Sequence, residues 1–361
     1  MIPIAKPIID SAEKKRVMEV LDSGMLSIGK VVKEFEEAFA RFTGARYAVA
    51  TSSGTTALHM ALLASGIKPG DKVLTTPFSF VATANSILYC NAVPVFCDVE
   101  EGTCNIDPDR IEEALKNDEE IKALLIVHLY GQPCNMDRIM KLVQKYDLIL
   151  VEDAAQAHGA LYKGKHGGTF GNAGAFSFYP TKNMTTAEGG MIITDDEKVH
   201  QDLKLLREHG GAGDYDHIML GYNYRMTNIE AAIGLVQLEK LTGFNNRRRE
   251  NAAYYDSHLS NLDWLEILEK QTDCLHCYHQ YTIRVKKDRD RFVEYLKENG
   301  IGCKVYYPHT IPSLPLYKEK GYNGLPFPVS GKLCDEVVSI PVHPSVSDED
   351  REKIVKVIKD W

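Results

Sequence analysis

Asp153 follows the β-run Leu148–Val151 and ends it in a carboxylate, and Lys182 stands 29 residues further on among small and hydroxyl side chains, in Ser177-Phe178-Tyr179-Pro180-Thr181-Lys182. A lysine amine forms a Schiff base with an aldehyde. A carboxylate beside a pyridine nitrogen keeps that nitrogen protonated, so the pair is what pyridoxal phosphate (PLP) requires. Either residue alone is ordinary: a lone lysine is usually solvated, and an aspartate at a strand end is usually a turn or helix cap. A third element tips the balance. Thr51-Ser52-Ser53-Gly54-Thr55-Thr56 joins a strand to a helix. There glycine admits a phosphate to the backbone, the hydroxyls donate, and the helix N-terminus offers free N–H groups. It is neither a Walker A loop nor a GxGxxG, so ATP or NAD binding gains no support. Of the two aromatics in Thr76-Pro77-Phe78-Ser79-Phe80, one could stack on a flat ring at the carboxyl end of the sheet; plain core packing is the alternative for both, and Phe78 reads as core.

The elements that must position these residues alternate. Phe35, Ala38, Phe39 and Phe42 recur on one helix face and Gly44 stops that helix. Strands are expected at 47–51, 72–76, 93–98, 123–129, 148–151, 174–178 and 190–193, with helices at 56–65, 79–89 and from Asp107-Pro108 onwards. Short, nearly all-apolar strands such as Ala123–Leu129 are those of a sheet covered on both faces, so the expected fold is α/β with a mostly parallel sheet. A helix over 228–241 leads to Arg247-Arg248-Arg249, which reads as a solvated face. The domain boundary is placed there, giving a large domain of residues 1–245 and a smaller C-terminal α+β domain of residues 246–361. The latter is built from strands 281–285 and 303–307 and helices 289–299 and 348–359.

With 361 residues, 44% apolar and 25% charged, the chain has the composition of a globular protein. Its formal net charge of −8 argues against a nucleic-acid or membrane-surface binder. The N-terminus has no basic and apolar leader and no apolar run approaches the length of a membrane span, so a cytoplasmic location is expected. Eight scattered cysteines read as free thiols. Cys274-Leu275-His276-Cys277 is a lone CxxC without the second pair a structural zinc would need, and no metal is expected.

Taken in order, the motifs resemble those of the DegT/DnrJ/EryC1/StrS sugar aminotransferases, within the aspartate-aminotransferase-like (fold type I) PLP enzymes. The resemblance is carried by Ser52-Ser53-Gly54-Thr55, Thr76–Phe80, Glu152–Gln156, Ser177–Lys182 and Gly221-Tyr222-Asn223-Tyr224-Arg225-Met226-Thr227-Asn228, with Tyr306-Tyr307-Pro308-His309 and Ser339–Pro344. It implies that Lys182 is the Schiff-base lysine and proton shuttle and that Asp153 pairs with the pyridinium nitrogen. Gln156 would lie near the ring hydroxyl, Gly54, Thr55 and Ser177 would hold the phosphate, and Phe80 would stack on the ring. Asn228 would reach the phosphate of a neighbouring subunit and Arg225 an anionic group of donor or sugar nucleotide, which implies a homodimer with shared sites. His309 is expected to hydrogen-bond the hexose. Relatives that remove a sugar hydroxyl carry histidine where this chain has Lys182, so transamination is the implied reaction. Tyr179 stands where many relatives have histidine, beside the substrate. The implied substrates are glutamate as amino donor and a nucleotide-linked keto-sugar, with Gly221–Asn228 nearest to the 4-keto-sugar members such as perosamine synthases. A lyase acting on amino acids would use the same Asp and Lys, and a non-catalytic PLP-binding regulator is the remaining alternative.

Overall fold

A computed structural model describes residues 1–324 and 326–361. Helices α1 (Ser11–Ser23) and α2 (Lys30–Thr43) precede β1 (Tyr47–Thr51), α3 (Gly54–Ala64), β2 (Lys72–Thr75), α4 (Ala82–Tyr89) and β3 (Val93–Phe96). Then come α5 (Pro108–Asn117), β4 (Ile121–Val127), α6 (Met136–Lys145) and β5 (Ile149–Asp153). The two-residue strands β6 (Leu161–Tyr162) and β7 (Lys165–His166) lead to β8 (Ala173–Ser177), β9 (Gly190–Thr194), α7 (Glu197–Arg207) and the long α8 (Asn228–Leu259). The C-terminal part holds β10 (Leu265–Ile267), β11 (Cys274–Leu275), β12 (Tyr281–Val285), α9 (Arg289–Glu298), α10 (Pro315–Glu319), α11 (Pro328–Glu336), β13 (Val337–Ile340) and α12 (Asp348–Lys359).

Local signals set the helix ends. Gly44 closes α2 at φ 77, a left-handed conformation that costs glycine nothing. Asp107 caps α5 with Pro108 in its first turn. Seven strands form one sheet in the order β1-β9-β8-β5-β4-β2-β3. Only β9 runs antiparallel to its neighbours, so the other six share a direction and their carboxyl ends lie along one edge. Helices α3, α4 and α7 pack on one face through Leu58, Leu62, Ile87 and Leu203, and α2 and α8 on the other through Phe35, Phe39 and Leu238. Phe39 meets Phe176 and Phe178 edge-on with centroids 5.0 and 5.6 Å away. Covering both faces is what the apolar strands required.

A second sheet, β10-β12-β13, packs with α9, α12 and the end of α8. The expected division at 245/246 falls inside α8. This single helix serves the large core through Ala231 and Leu238 and the small core through Ala252, Tyr255 and Leu259. The expected strand at 303–307 does not form: Lys304 alone bridges to Ser339, and Tyr307 sits at φ 64, where a strand cannot continue. The arginine triplet is also not a solvated face. Arg248 is only 4% exposed and donates to the carbonyls of Tyr278 and His279, because α8 here runs between the two cores.

Candidate active site

The carboxyl ends of β1, β2, β5 and β8 bring most of the expected residues together. Gly190, first in β9, pairs with Thr51 on one side and Ser177 on the other, which sets the start of α3 against the end of β8. Ser53 caps α3: its Oγ accepts Thr56 N–H at 3.2 Å and its N–H donates to Thr56 Oγ1 at 3.0 Å. The first helical amides, Gly54 and Thr55, have no acceptor within the helix and are available to an anion. A Cβ on Gly54 would lie 2.6 Å from Ser177 Cβ, so only glycine lets backbone and hydroxyl converge there. The preceding residues are tied from outside, since Ser52 N–H and Thr51 Oγ1–H both donate to Tyr224 O, at 2.9 and 2.8 Å.

Asp153 ends β5 in a buried position. Burial pushes its pKa above the usual carboxylate value. Thr83 Oγ1–H at 2.8 Å and Ala155 N–H at 3.1 Å oppose that rise, as does the charge of Lys182. Thr83 in turn is held by Ser79, 3.0 Å away. Lys182 follows a turn in which its own N–H donates to Tyr179 O at 2.8 Å, and its side chain is half-buried. Burial pulls its pKa down to about 8 against the opposing pull of Asp153, so it gives up its proton far more readily than a free lysine.

Behind this pair Glu152 is completely buried. Its Oε1 accepts the N–H groups of Phe170 and Gly171, and its Oε2 accepts Gly168 N–H and His128 Nε2–H at 2.8 Å. His128 Nδ1 accepts Cys134 N–H, which assigns the proton to Nε2. The Gln156 amide is committed at both ends: Oε1 accepts Tyr130 N–H at 2.7 Å, and Nε2 donates to Tyr307 OH at 2.8 Å. Phe80 stands on the loop after β2, 60% exposed and without an aromatic partner among the described residues, whereas Phe78 is buried as expected. Tyr179 is half-exposed, two residues from Ser177.

The remaining site residues come from other segments of the chain. His309 is on an exposed loop whose near neighbour Ile311 donates its N–H to Pro77 O, so the loop passes the Phe78–Phe80 turn. Arg225 follows the tyrosine that holds Ser52. The Asn228 side chain donates to Met25 O at 2.7 Å and accepts Val32 N–H at 3.1 Å, and Thr227, not Asn228, caps α8. Cys274 and Cys277 turn to different carbonyls, of Pro133 and Gln156. Sequence reasoning missed Thr83 and His128, and it quoted Ser79 and Tyr307 within motifs without giving either a role. Thr83 sits in a hydroxyl-rich stretch after the Pro77-Phe78 turn, the one signal that pointed to it.

A half-buried amine of lowered pKa, a buried carboxylate whose two oxygens each accept one hydrogen bond, and a helix N-terminus with free amides beside a serine hydroxyl are a donor set that fits PLP. Residues 7–359 match the model of the DegT/DnrJ/EryC1/StrS aminotransferase family, and the chain belongs to that family. It is 37% identical over 366 residues to a GDP-perosamine synthase of Escherichia coli O157:H7, covering 100% of this chain and 98% of the relative. It is 38% identical over 346 residues to a dTDP-3-amino-3,6-dideoxy-alpha-D-galactopyranose transaminase of Aneurinibacillus thermoaerophilus, covering 95% and 93%. Its fold matches that of the sugar aminotransferase CalS13 of Micromonospora echinospora with a TM-score of 0.93 at 34% identity, over 100% of this chain and 100% of the other.

Proposed function

We propose that this chain moves an amino group from glutamate to the ketone of a nucleotide-linked keto-sugar, with PLP held between Asp153 and Lys182. The observation that carries the reading is the half-buried Lys182 amine close enough to Asp153 for their charges to interact, an amine able to form a Schiff base where dehydrating relatives have histidine. Bound PLP supplies the electron sink for the carbanion at the substrate carbon and carries nitrogen between the two half-reactions. The Gly54 and Thr55 amides and Ser177 Oγ would hold the phosphate, Phe80 would cover the ring, Gln156 would lie near the ring hydroxyl, and Asp153 would keep the ring nitrogen protonated. Lys182 Nζ takes the proton from the donor Cα and returns one at the sugar carbon that receives nitrogen, a positioned transfer worth roughly 10²–10⁴-fold. The names of the two enzymes above carry a GDP-linked and a dTDP-linked sugar, which supports a nucleotide-linked acceptor. The 4-keto class rests on the resemblance of Gly221–Asn228.

The reading includes a homodimer in which Arg225 and Asn228 serve the neighbour's site and His309 and Tyr179 meet the sugar. Support comes from the loop before Arg225, where Tyr215 is 97% exposed and Ile218 and Leu220 also stand free, an apolar surface that asks for cover. Residues 1–245 and 246–361 act as two domains joined within α8. A cytoplasmic location is consistent with eight unpaired cysteines. The test is to load the enzyme with amine from glutamate and offer GDP- and dTDP-linked keto-sugars, reading 2-oxoglutarate and the amino sugar by mass. Release of a 2-oxo acid and ammonia from an amino acid without any amino sugar would replace this reading with a lyase.

A further inference from the structure

A small cavity of about 20 Å³ lies against Lys182, between the N-terminal segment, the 180–185 turn and α8. Lys6, Lys182 and Arg248 line it, together with Asn183 and Gln237, and no carboxylate does. Arg248 is the unusual member. It is buried, its Nη1 is spent on two backbone carbonyls at 3.1 and 3.2 Å, and its Nε has no partner. A buried guanidinium without a counter-charge is costly, so buried charges are ordinarily paired.

The neighbours do not supply that charge. Burial pushes the Cys277 thiol up to about 12, and its S–H donates to Gln156 O, so no thiolate is available. Glu13, which Gln237 reaches at 2.7 Å, is already paired with Lys240. His279 is buried, and burial drives it towards the neutral form. Asn183 gives both amide hydrogens to Asn245 and Cys277 and leaves Oδ1 unpaired, so an N–H or O–H donor also fits here. Lys6 is exposed and stands on the wall that the N-terminal segment provides.

We propose that this cavity is a monoanion site, sized for a halide or one end of a carboxylate, with Arg248 and Lys6 as its cations. Its contact with Lys182 gives the carboxylate source: in turnover it receives the carboxylate of the amino donor. That second statement rests on the aminotransferase reading above, while the anion site itself does not. A donor whose Cα is within reach of Lys182 Nζ has its carboxylate one bond further on, so base and anion site must be neighbours. Arginine suits the task because its planar fork takes two oxygens.

The test uses the holoenzyme. Crystals soaked in bromide should show an anomalous peak between Arg248 and Lys6. In solution, bromide should compete with 2-oxoglutarate, and Lys6→Met and Arg248→Lys should each weaken 2-oxoglutarate by about tenfold, the size of one charge-assisted hydrogen bond. The KM for the keto-sugar should stay put. Lys6 is exposed, so its change leaves the cores intact. Arg248→Lys keeps the charge but gives up the bonds to the Tyr278 and His279 carbonyls, so its melting temperature is recorded beside its affinity, and Lys6→Met carries the test if Arg248→Lys does not fold. A bromide peak without competition would assign the site to an inorganic anion and overturn the donor statement. No peak, with 2-oxoglutarate binding unchanged in both variants, would leave a water-filled cavity and overturn the proposal. Normal amination of a keto-sugar alongside that result would leave the proposed function standing.

Discussion

Thr83→Val should isolate the hydrogen bond that holds the Asp153 carboxylate. Valine keeps the shape of threonine at a position that is 1% exposed, so packing changes little. What is lost is the 2.8 Å bond from Thr83 Oγ1–H to Asp153 Oδ2, together with the 3.0 Å contact to Ser79 Oγ, which adds a cost that does not vary with pH. A hydrogen bond to a charged group contributes about 1.5–3 kcal/mol, and each pKa unit is about 1.4 kcal/mol, so the Asp153 pKa should rise by roughly one to two units. The sign follows from its surroundings. Burial already raises Asp153 above its ordinary 3.8 and the Thr83 bond opposes the rise. A carboxyl raised in the folded state contributes stability that is complete below its unfolded pKa and is lost as pH climbs through the folded one. Relative to wild type, the cofactor-free variant should therefore be about 1.5–3 kcal/mol less stable at pH 7.5, with a deficit that shrinks as pH falls towards about 4. Urea unfolding at both pH values reads this, and a double-mutant cycle with Asp153→Asn reads the coupling. A deficit independent of pH, with no coupling to Asp153→Asn, would refute the argument.

Gly54→Ala should weaken cofactor binding by about tenfold and lower the melting temperature, because its Cβ would sit 2.6 Å from Ser177 Cβ. Adding Ser177→Gly should recover the melting temperature, which a clash elsewhere would not allow. Glu152→Gln should cost roughly 3–5 kcal/mol, since one amide group cannot accept all four hydrogens now aimed at the carboxylate. Burial raises the Glu152 pKa, but the bonds from His128 and the Gly168 and Gly171 amides hold it below 4.5. The wild-type advantage should thus be present above about pH 4.5 and fade as pH falls through that lowered value, as read by thermal melts across pH. Mixing Lys182→Ala with Asn228→Ala chains, then dissociating and reassociating them, should give heterodimers more active than either parent if sites are shared. Because Asn228 also bonds Met25 and Val32, the melting of Asn228→Ala alone must be recorded beside it, and verified heterodimers without recovery would place the site within one chain.

Short-range chemistry was legible in the chain itself. Gly44, Asp107-Pro108 and the Ser53 turn act through their own backbone neighbours, and unbroken apolar runs announce strands covered on both faces, so the helix–strand order and the parallel sheet followed. Asp153 and Lys182 were also legible, because each closes or follows a strand on the same edge of that sheet. Contacts between residues far apart in sequence were not. Thr83 reaches Asp153 across 70 positions and Glu152 reaches Gly171 across 19, and no periodicity encodes either. Arg248 reads as one of three solvated arginines until α8 is seen running through both cores. The segment 303–307 has strand composition, yet a strand needs an edge to pair with, and only Lys304 finds one before Tyr307 turns left-handed. Local propensity fixed which elements this chain forms. Burial and pairing, which depend on the whole fold, decided which of its polar groups face one another.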